Sequence, residues 1–427
     1  MPMATAFRLH DLRETLHNEL HARPSVVVTA PAQVRSWAFL IEPDEHPAAR
    51  AHWALLTNRP DVKRLNDSSD RQELVEYGDL RVKWEHHTEF VSYTVYCEGT
   101  PGTEAILAKL PPHWIDQGPG SLIAAVAVDI QTIRETPPDQ FIDAIDPLGP
   151  TTVASKIADG AGWLFTDFHL HDGMTHFTII DGAILPRQLG RIVQRLIEIE
   201  TYRMLALLAF PAARMVSAEL SLWEKRLAQL MHDLGEANTI ENERVLLQRL
   251  TQLAAEVERS VADSNFRFGA AAAYYRLVQQ RSEDLREQRL SGYSTLKGFL
   301  ERRLAPAMNT CAAVHRRQEE LSARIARNSQ LLRTRVDLKL QEQNQQLLDE
   351  MNRRARLQLR LQEAAEHFSV VAITYYGSQL VQYLAKGAKG WLPASPELIT
   401  AIAIPVIAAA AAYSIHRLRQ RLHVSVH

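Results

Sequence analysis

Cysteine is nearly missing from this chain: Cys97 and Cys311 are the two in 427 residues. Their separation argues against a CxxC redox pair, a zinc knuckle or a disulfide framework, and it fits a reducing compartment. Net charge is nearly missing as well, at −2, with 48 Lys and Arg against 50 Asp and Glu. No global field draws the protein to nucleic acid or to an acidic surface, so nucleic acid is not expected as a partner. The opening stretch MPMATAFRLHDLRETLHNEL lacks an uninterrupted apolar core and carries charges every few positions. It does not read as a secretory signal, and the bulk of the chain is expected in the cytoplasm.

Signatures of chemistry are also scarce. The glycine turns GPGS at Gly118 and DGAG at Asp159 lack a phosphate-loop lysine and a full dinucleotide fingerprint, and no GxSxG elbow occurs. Paired carboxylates cannot be told from ordinary surface acids. No catalytic residue is assigned, and an enzyme is not the leading class.

What is present is organised in three zones. With 46% apolar and 23% charged residues, the composition is globular and the length calls for two or three domains. From about residue 25 to 210, SVVV, VRSWAFLIE, LRVKWEHHTEFVSYTVYC, SLIAAVAVDI and GWLFTDFHLHDGMTHFTIID are rich in β-branched and aromatic residues and bounded by Gly, Pro and Asp. They predict strands, paired largely as antiparallel hairpins, in an α+β domain spanning residues 1–212. Its last element is a helix over PRQLGRIVQRLIEIETYRMLALLAF, with Pro186 in the first turn and Pro211 beyond the end.

Over residues 213–366 the strand signals stop. Leu220, Trp223, Leu227, Leu230 and Leu234 step by three and four; Gly235 then supplies a stop, and NTIE from Asn238 offers a capping box before Leu246, Leu250, Leu253 and Val257. A further helix is expected through FGAAAAYYRLVQQRSEDLREQRL, and after Gly292 and Pro306 a long one from about Thr310, with Leu321, Ile325, Leu332 and Val336 as contacts. The stripe is narrow and the charge high. This predicts a helical bundle or coiled coil that packs partly on another copy of the chain, a homo-oligomer.

Residues 367–427 carry two uncharged segments, FSVVAITYYGSQLVQYLA from Phe368 and LITAIAIPVIAAAAAYSI from Leu398. Each would run about 27 Å as a helix, against a hydrocarbon core of about 30 Å. Between them lies KGAKGWLPASPE with Trp391. Arg353, Arg354, Arg356 and Arg360 precede the first segment, and Arg417, Arg419 and Arg421 follow the second. A soluble helix keeps a polar face, and the second segment has almost none. The expectation is a two-helix transmembrane hairpin in the bacterial inner membrane, both termini cytoplasmic, with the last three arginines as topological anchor.

Three groups of residues could carry chemistry. In LHNELHARP, His17 and His21 are one helical turn apart, but Glu19 is misplaced for a zincin, so a helix terminus is the simpler reading. In the segment from Phe165 to Ile180, Asp172-Gly173 signals a hairpin that pairs His171 with Met174, His169 with His176 and Phe168 with Phe177. His169, His171 and His176 then share a face with Asp167 and could take a divalent transition metal, or simply form a solvated sheet face. Phe168, Leu170, Phe177 and Ile179 would line the other side. The pair His86 and His87 in KWEHHTEF points to opposite faces of a strand. In the first apolar segment Tyr375, Gln379, Gln382 and Lys386 draw a polar stripe that would turn toward other helices or a water-filled path.

The stretch from His17 through Asn18, Glu19, His21 and Arg23 to Pro24, with KWEHHTEF from Lys83, RLIEIETYRMLALLAF from Arg195, the long LLRTRVDLKLQEQNQQLLDEMNRRARLQLRLQ from Leu331 and SVVAITYY from Ser369, resembles a bacterial family of membrane-anchored proteins, domain-of-unknown-function family 3422. The resemblance spans nearly the whole chain. It implies membrane attachment and brings no catalytic residues with it. The architecture is more distantly similar to the two-transmembrane magnesium channels, pentamers that carry Gly-Met-Asn at the outer end of the first membrane helix. Here that region reads YLAKGAKGW, so magnesium selectivity is not implied. Two functions are therefore expected in order: a membrane-anchored oligomeric scaffold or tether presenting its α/β domain to a protein partner, then an ion channel or transporter. A metal enzyme using the histidine patch ranks third.

Overall fold

The computed structural model describes residues 10–13, 16–17, 25–65, 71–134, 152–387 and 395–424. Packing divides the chain into two units, Met1–Gly235 with Gln248–Asn328, and Glu236–Leu247 with Ser329–His427. Long helices run through residues 212 and 366.

In the first unit the strands are β1 (Ala32–Leu40), β2 (Val62–Arg64), β3 (Gln72–Tyr77), β4 (Leu80–His86), β5 (Phe90–Glu98), β6 (Ser121–Thr132), β7 (Val153–Ile157), β8 (Gly162–Thr166), β9 (Leu170–His171), β10 (Met174–Asp181) and β11 (Gln288–Arg289). Among the described residues they form one sheet in the order β11-β7-β8-β10-β6-β1-β5-β4-β3-β2, with β9 on β10. The pairing is antiparallel as the hairpin pattern predicts, for example Leu80↔Cys97 to His86↔Val91 between β4 and β5. One parallel joint, β10 on β6 from Thr175↔Val126 to Asp181↔Thr132, fuses two antiparallel blocks. The segment SVVV is a correction: residues 25–29 are not a strand. Val26 and Val28 are nonetheless buried. The Val28 N–H bonds the Pro186 carbonyl at 3.2 Å.

Alternation along the strands separates two faces. One face, with Trp37, Phe39, Trp84 and Tyr93, is covered by α1 (His46–Thr57), α2 (Thr103–Lys109) and the Trp114 turn, forming one core cluster. Trp53 and Trp84 stack within it at 5.9 Å. The opposite face receives α3 (Pro186–Leu207), which buries Leu189, Ile192, Val193, Leu196 and Leu205. Each such side chain contributes about 1.5–3 kcal/mol. Gly190 sets the approach of the 25–29 segment, because a Cβ there would fall on the Val26 carbonyl oxygen.

Helix α4 (Ala209–Glu236) follows α3 almost without a break. Pro211 lies in its first turn rather than beyond a helix end, since proline is tolerated where the N–H has no partner. Leu220, Trp223, Leu227 and Leu230 are buried as their spacing predicts. The cap at the next helix is Thr239, one residue after the expected Asn238; its Oγ1 accepts from Asn242 N–H at 3.3 Å. Helix α5 (Ile240–Glu283) is continuous for 44 residues, so FGAAAAYY is its second half and not a separate helix. After α6 (Leu296–Arg303) comes α7 (Ala305–Gly387), 83 residues long. In the first unit Gln318 Nε2 donates to Ser260 Oγ at 3.0 Å and Arg317 Nη2 pairs Glu224 at 2.9 Å, which ties α7 to α5 and α4.

In the second unit the start of α5 meets α7 around a fully buried carboxylate. Glu243 is 0% exposed and pairs Arg335 and Lys339, each at 2.8 Å. Leu332 and Val336, near Arg335 in sequence, are buried. Beyond residue 340 the cover ends, and Leu347, Met351 and Leu361 stand exposed. The last element is α8 (Pro396–Val424), with Pro405 inside it.

Candidate functional site

Among the described residues two helical stretches are long and apolar enough to cross a membrane, Pro186–Glu236 and Pro396–Ile415. Their surroundings differ. The first is 33% buried, and its apolar side chains cover the sheet and the helical layer, whereas the second is 6% buried. At 20 residues it would reach about 30 Å, the thickness of a hydrocarbon core. The segment from Phe368, expected as its partner span, is not one of the two, because Gln379, Gln382 and three tyrosines lower its mean hydropathy.

Helices α7 and α8 nevertheless approach closely: a Cβ on Gly377 would lie 3.0 Å from Ile407 Cγ2. In the two segments the buried residues, among those described, are Ala385, Pro396 and Ala411. Small residues permit such an approach. Along the predicted polar stripe, Tyr375 and Lys386 are exposed while Gln379 and Gln382 are half-buried. Arg417 is exposed near the end of α8. The side chains of Arg419 and Arg421, and the loop with Trp391, lie outside the described residues. So do Asn18, Glu19, His21, Arg23 and Pro24, while His17 is helical and exposed.

The Asp172-Gly173 hairpin forms with the predicted register, Met174↔His171 and Thr175↔Leu170. Its arm is shorter than expected. Phe168 has φ 57° and turns out of the strand, so His169 does not enter the ladder opposite His176. Phe168 stacks on Phe299 at 4.7 Å instead, and Leu170, expected on the apolar side, is exposed. Asp167 organises the group: Oδ1 accepts from His169 N–H at 3.0 Å and Oδ2 meets His171 Nε2 at 2.7 Å. Burial works to raise the Asp167 carboxyl, but these hydrogen bonds outweigh it and hold the group below the ordinary aspartate value. His176 lies edge-on to His171, 5.7 Å between centroids, and burial lowers its pKa. Among the described residues no group of three or more His, Cys, Asp or Glu is placed to hold a metal ion. Asp167 thus holds His169 and His171, while His176 stands edge-on to His171.

Other polar groups escaped sequence reading. Arg35, 2% exposed, donates to Asp129 Oδ1 at 2.8 Å and to Thr103 Oγ1 at 2.6 Å, and Gln33 shares the same Asp129 oxygen at 2.8 Å. These residues occupy core-facing positions of β1 and β6, where the alternation predicts apolar side chains. His52 is buried between the Tyr93 hydroxyl at 2.9 Å and the Trp114 carbonyl at 2.8 Å. The carbonyl can only accept, so Nε2 carries the proton and Nδ1 accepts from Tyr93. The neighbours His86 and His87 separate, His86 stacking on Trp84 at 5.5 Å and His87 on Phe90 at 4.1 Å.

An α/β domain with a mostly antiparallel sheet, continued by long helices that finish in an uncovered apolar helix, defines the class of this protein. Within that class the chain belongs to the DUF3422 family, described as a protein of unknown function, whose model matches residues 8–422. No curated protein matches the chain.

Proposed function

We propose that the protein is a membrane-anchored oligomeric scaffold or tether, with a C-terminal helical hairpin in the bilayer and the α/β domain offered to a protein partner in the cytoplasm. The observation that carries this reading is the apolar stretch Pro396–Ile415, 6% buried. Water does not tolerate so long an apolar cylinder uncovered, and lipid does. The close approach at Gly377 and Ile407 supports pairing of α7 with α8, and the arginines from Arg353 to Arg360 together with Arg417 fit cytoplasmic flanks. On α7, exposed Leu347, Met351 and Leu361 fall on one helix face, which suits a second copy of the same helix.

Thiol labelling in intact cells tests the hairpin. With Ser395→Cys, a membrane-impermeant maleimide is expected to react before lysis, and with Gln362→Cys only after it. Protection of both until lysis would remove the hairpin from the proposal. The conducting alternative rests on one feature, the exposure of Tyr375 and Lys386 on the side that carries Gln379 and Gln382. It requires ion flux in liposomes that Gln379→Leu and Gln382→Leu alter.

A further inference from the structure

Against the chain's net charge of −2, one cleft in the first unit is locally basic. It lies between α3 and α5, holds about 180 Å³, and is lined by Ser25, Arg191, Gln194, Arg195, Glu198 and Arg281. Three guanidiniums thus face one carboxylate. The spacing of Arg191 and Arg195 places them one turn apart on the same side of α3, and Arg281 joins them from α5. Ser25 follows directly on the His17–Pro24 stretch in sequence.

The hydrogen bonds show which donors are already used. Both Glu198 oxygens are taken, Oε1 by Gln194 Nε2 at 2.8 Å and Oε2 by Arg281 Nε. Asp284 takes Arg195 Nε at 3.3 Å and lies 3.8 Å from Arg281 Nη1. The acids therefore engage the Nε edges of Arg195 and Arg281 and leave the Nη groups of Arg195 unassigned. Among the described residues Arg191 pairs with no acid, and the half-buried Ser25 hydroxyl adds a further donor. Burial, reinforced by the charges of Arg191 and Arg281, pulls Arg195 below the ordinary arginine value against the pull of Asp284 and Glu198. An anion entering the cleft would relieve that repulsion.

We propose that this cleft binds the phosphate group of a soluble ligand, with Arg191 and Arg195 as its principal donors. Guanidinium forks match the oxygens of a phosphate in pairs, which a lysine cluster would not do. The volume, roughly that of six liquid waters, holds one phosphate group with some of its hydration and no large body, so the remainder of the ligand stays outside.

Calorimetric titration of the full-length protein in detergent with inorganic phosphate tests this, beside Arg191→Gln, Arg195→Gln and, as a surface control whose guanidinium pairs Asp159 outside the cleft lining, Arg286→Gln. Arg191 is exposed, so its replacement should leave the fold intact, and circular dichroism of each variant checks this. Saturable binding is expected, weakened about tenfold by Arg191→Gln and by Arg195→Gln and unchanged by Arg286→Gln. The same titration with vesicles containing phosphatidic acid distinguishes a lipid headgroup; retention on vesicles without binding of free phosphate overturns the soluble ligand. No saturable phosphate binding, or equal loss in all three variants, overturns the site.

Discussion

The sheet and the C-terminal helices use similar apolar residues and treat them oppositely. Phe177 and Leu164 are 0% exposed, while Phe368 is 76% exposed and Leu384 66%. In the first unit the apolar strand positions are covered by helices and loops of the same chain, so the domain supplies its own nonaqueous environment. In the second unit Glu243 Oε1 holds both Arg335 and Lys339 while its buried Oε2 has no partner among the described residues, and most large apolar side chains beyond residue 340 stand exposed. Burial is thus a property of neighbours and not of residue type.

The contrast can be broken most strongly in the core. Phe177→Ala is expected to destabilise the sheet domain by about 3–5 kcal/mol in urea unfolding, whereas Phe368→Ala should stay within about 0.5 kcal/mol in the same assay. Val406→Arg near the centre of α8 should cost about 3 kcal/mol of membrane insertion and lower the membrane-bound fraction, with the sheet's unfolding midpoint unchanged. Gly190→Ala forces a methyl onto the Val26 carbonyl. It should cost about 1–3 kcal/mol, read as a fall in the midpoint of thermal unfolding. Glu243→Gln removes the carboxylate shared by Arg335 and Lys339. About 2 kcal/mol is expected from the lost charge-assisted bonds, less than for a fully enclosed pair because Arg335 is half-exposed.

The smallest effect is a pH dependence. Burial holds His52 below its ordinary value of 6.5, with the hydrogen bond to the Trp114 carbonyl opposing. A base depressed in the folded state stabilises above its unfolded pKa and loses that contribution as pH falls through the folded value. The urea midpoint should therefore decline as pH is lowered from 6.5, and His52→Gln should flatten part of the slope.

Much of the sheet was legible because alternation and turn chemistry act locally. The β4–β5 hairpin and the Asp172-Gly173 turn follow from pattern alone, and so do the buried positions Leu220, Trp223, Leu227, Leu321 and Ile325. Short edge elements such as β2 and β11, with two or three residues each, carry too little pattern to read. Tertiary contacts decided the rest. Phe299 draws Phe168 out of the strand and so separates the predicted histidine pair. The Arg35–Asp129 pair sits at positions where alternation predicts apolar residues. The two halves of α5 read as separate helices because the Ala-rich composition changes midway while the backbone continues. The basic cleft was invisible for a similar reason, since Arg281 lies 86 positions after Arg195 in sequence and meets it only across packed helices.

Where the full-length chain resides decides the membrane anchor most directly. Membranes from cells expressing it, washed with alkaline carbonate and centrifuged, should retain the protein in the pellet and release it with mild detergent. Recovery of the folded, monodisperse protein in the detergent-free supernatant would contradict the membrane anchor.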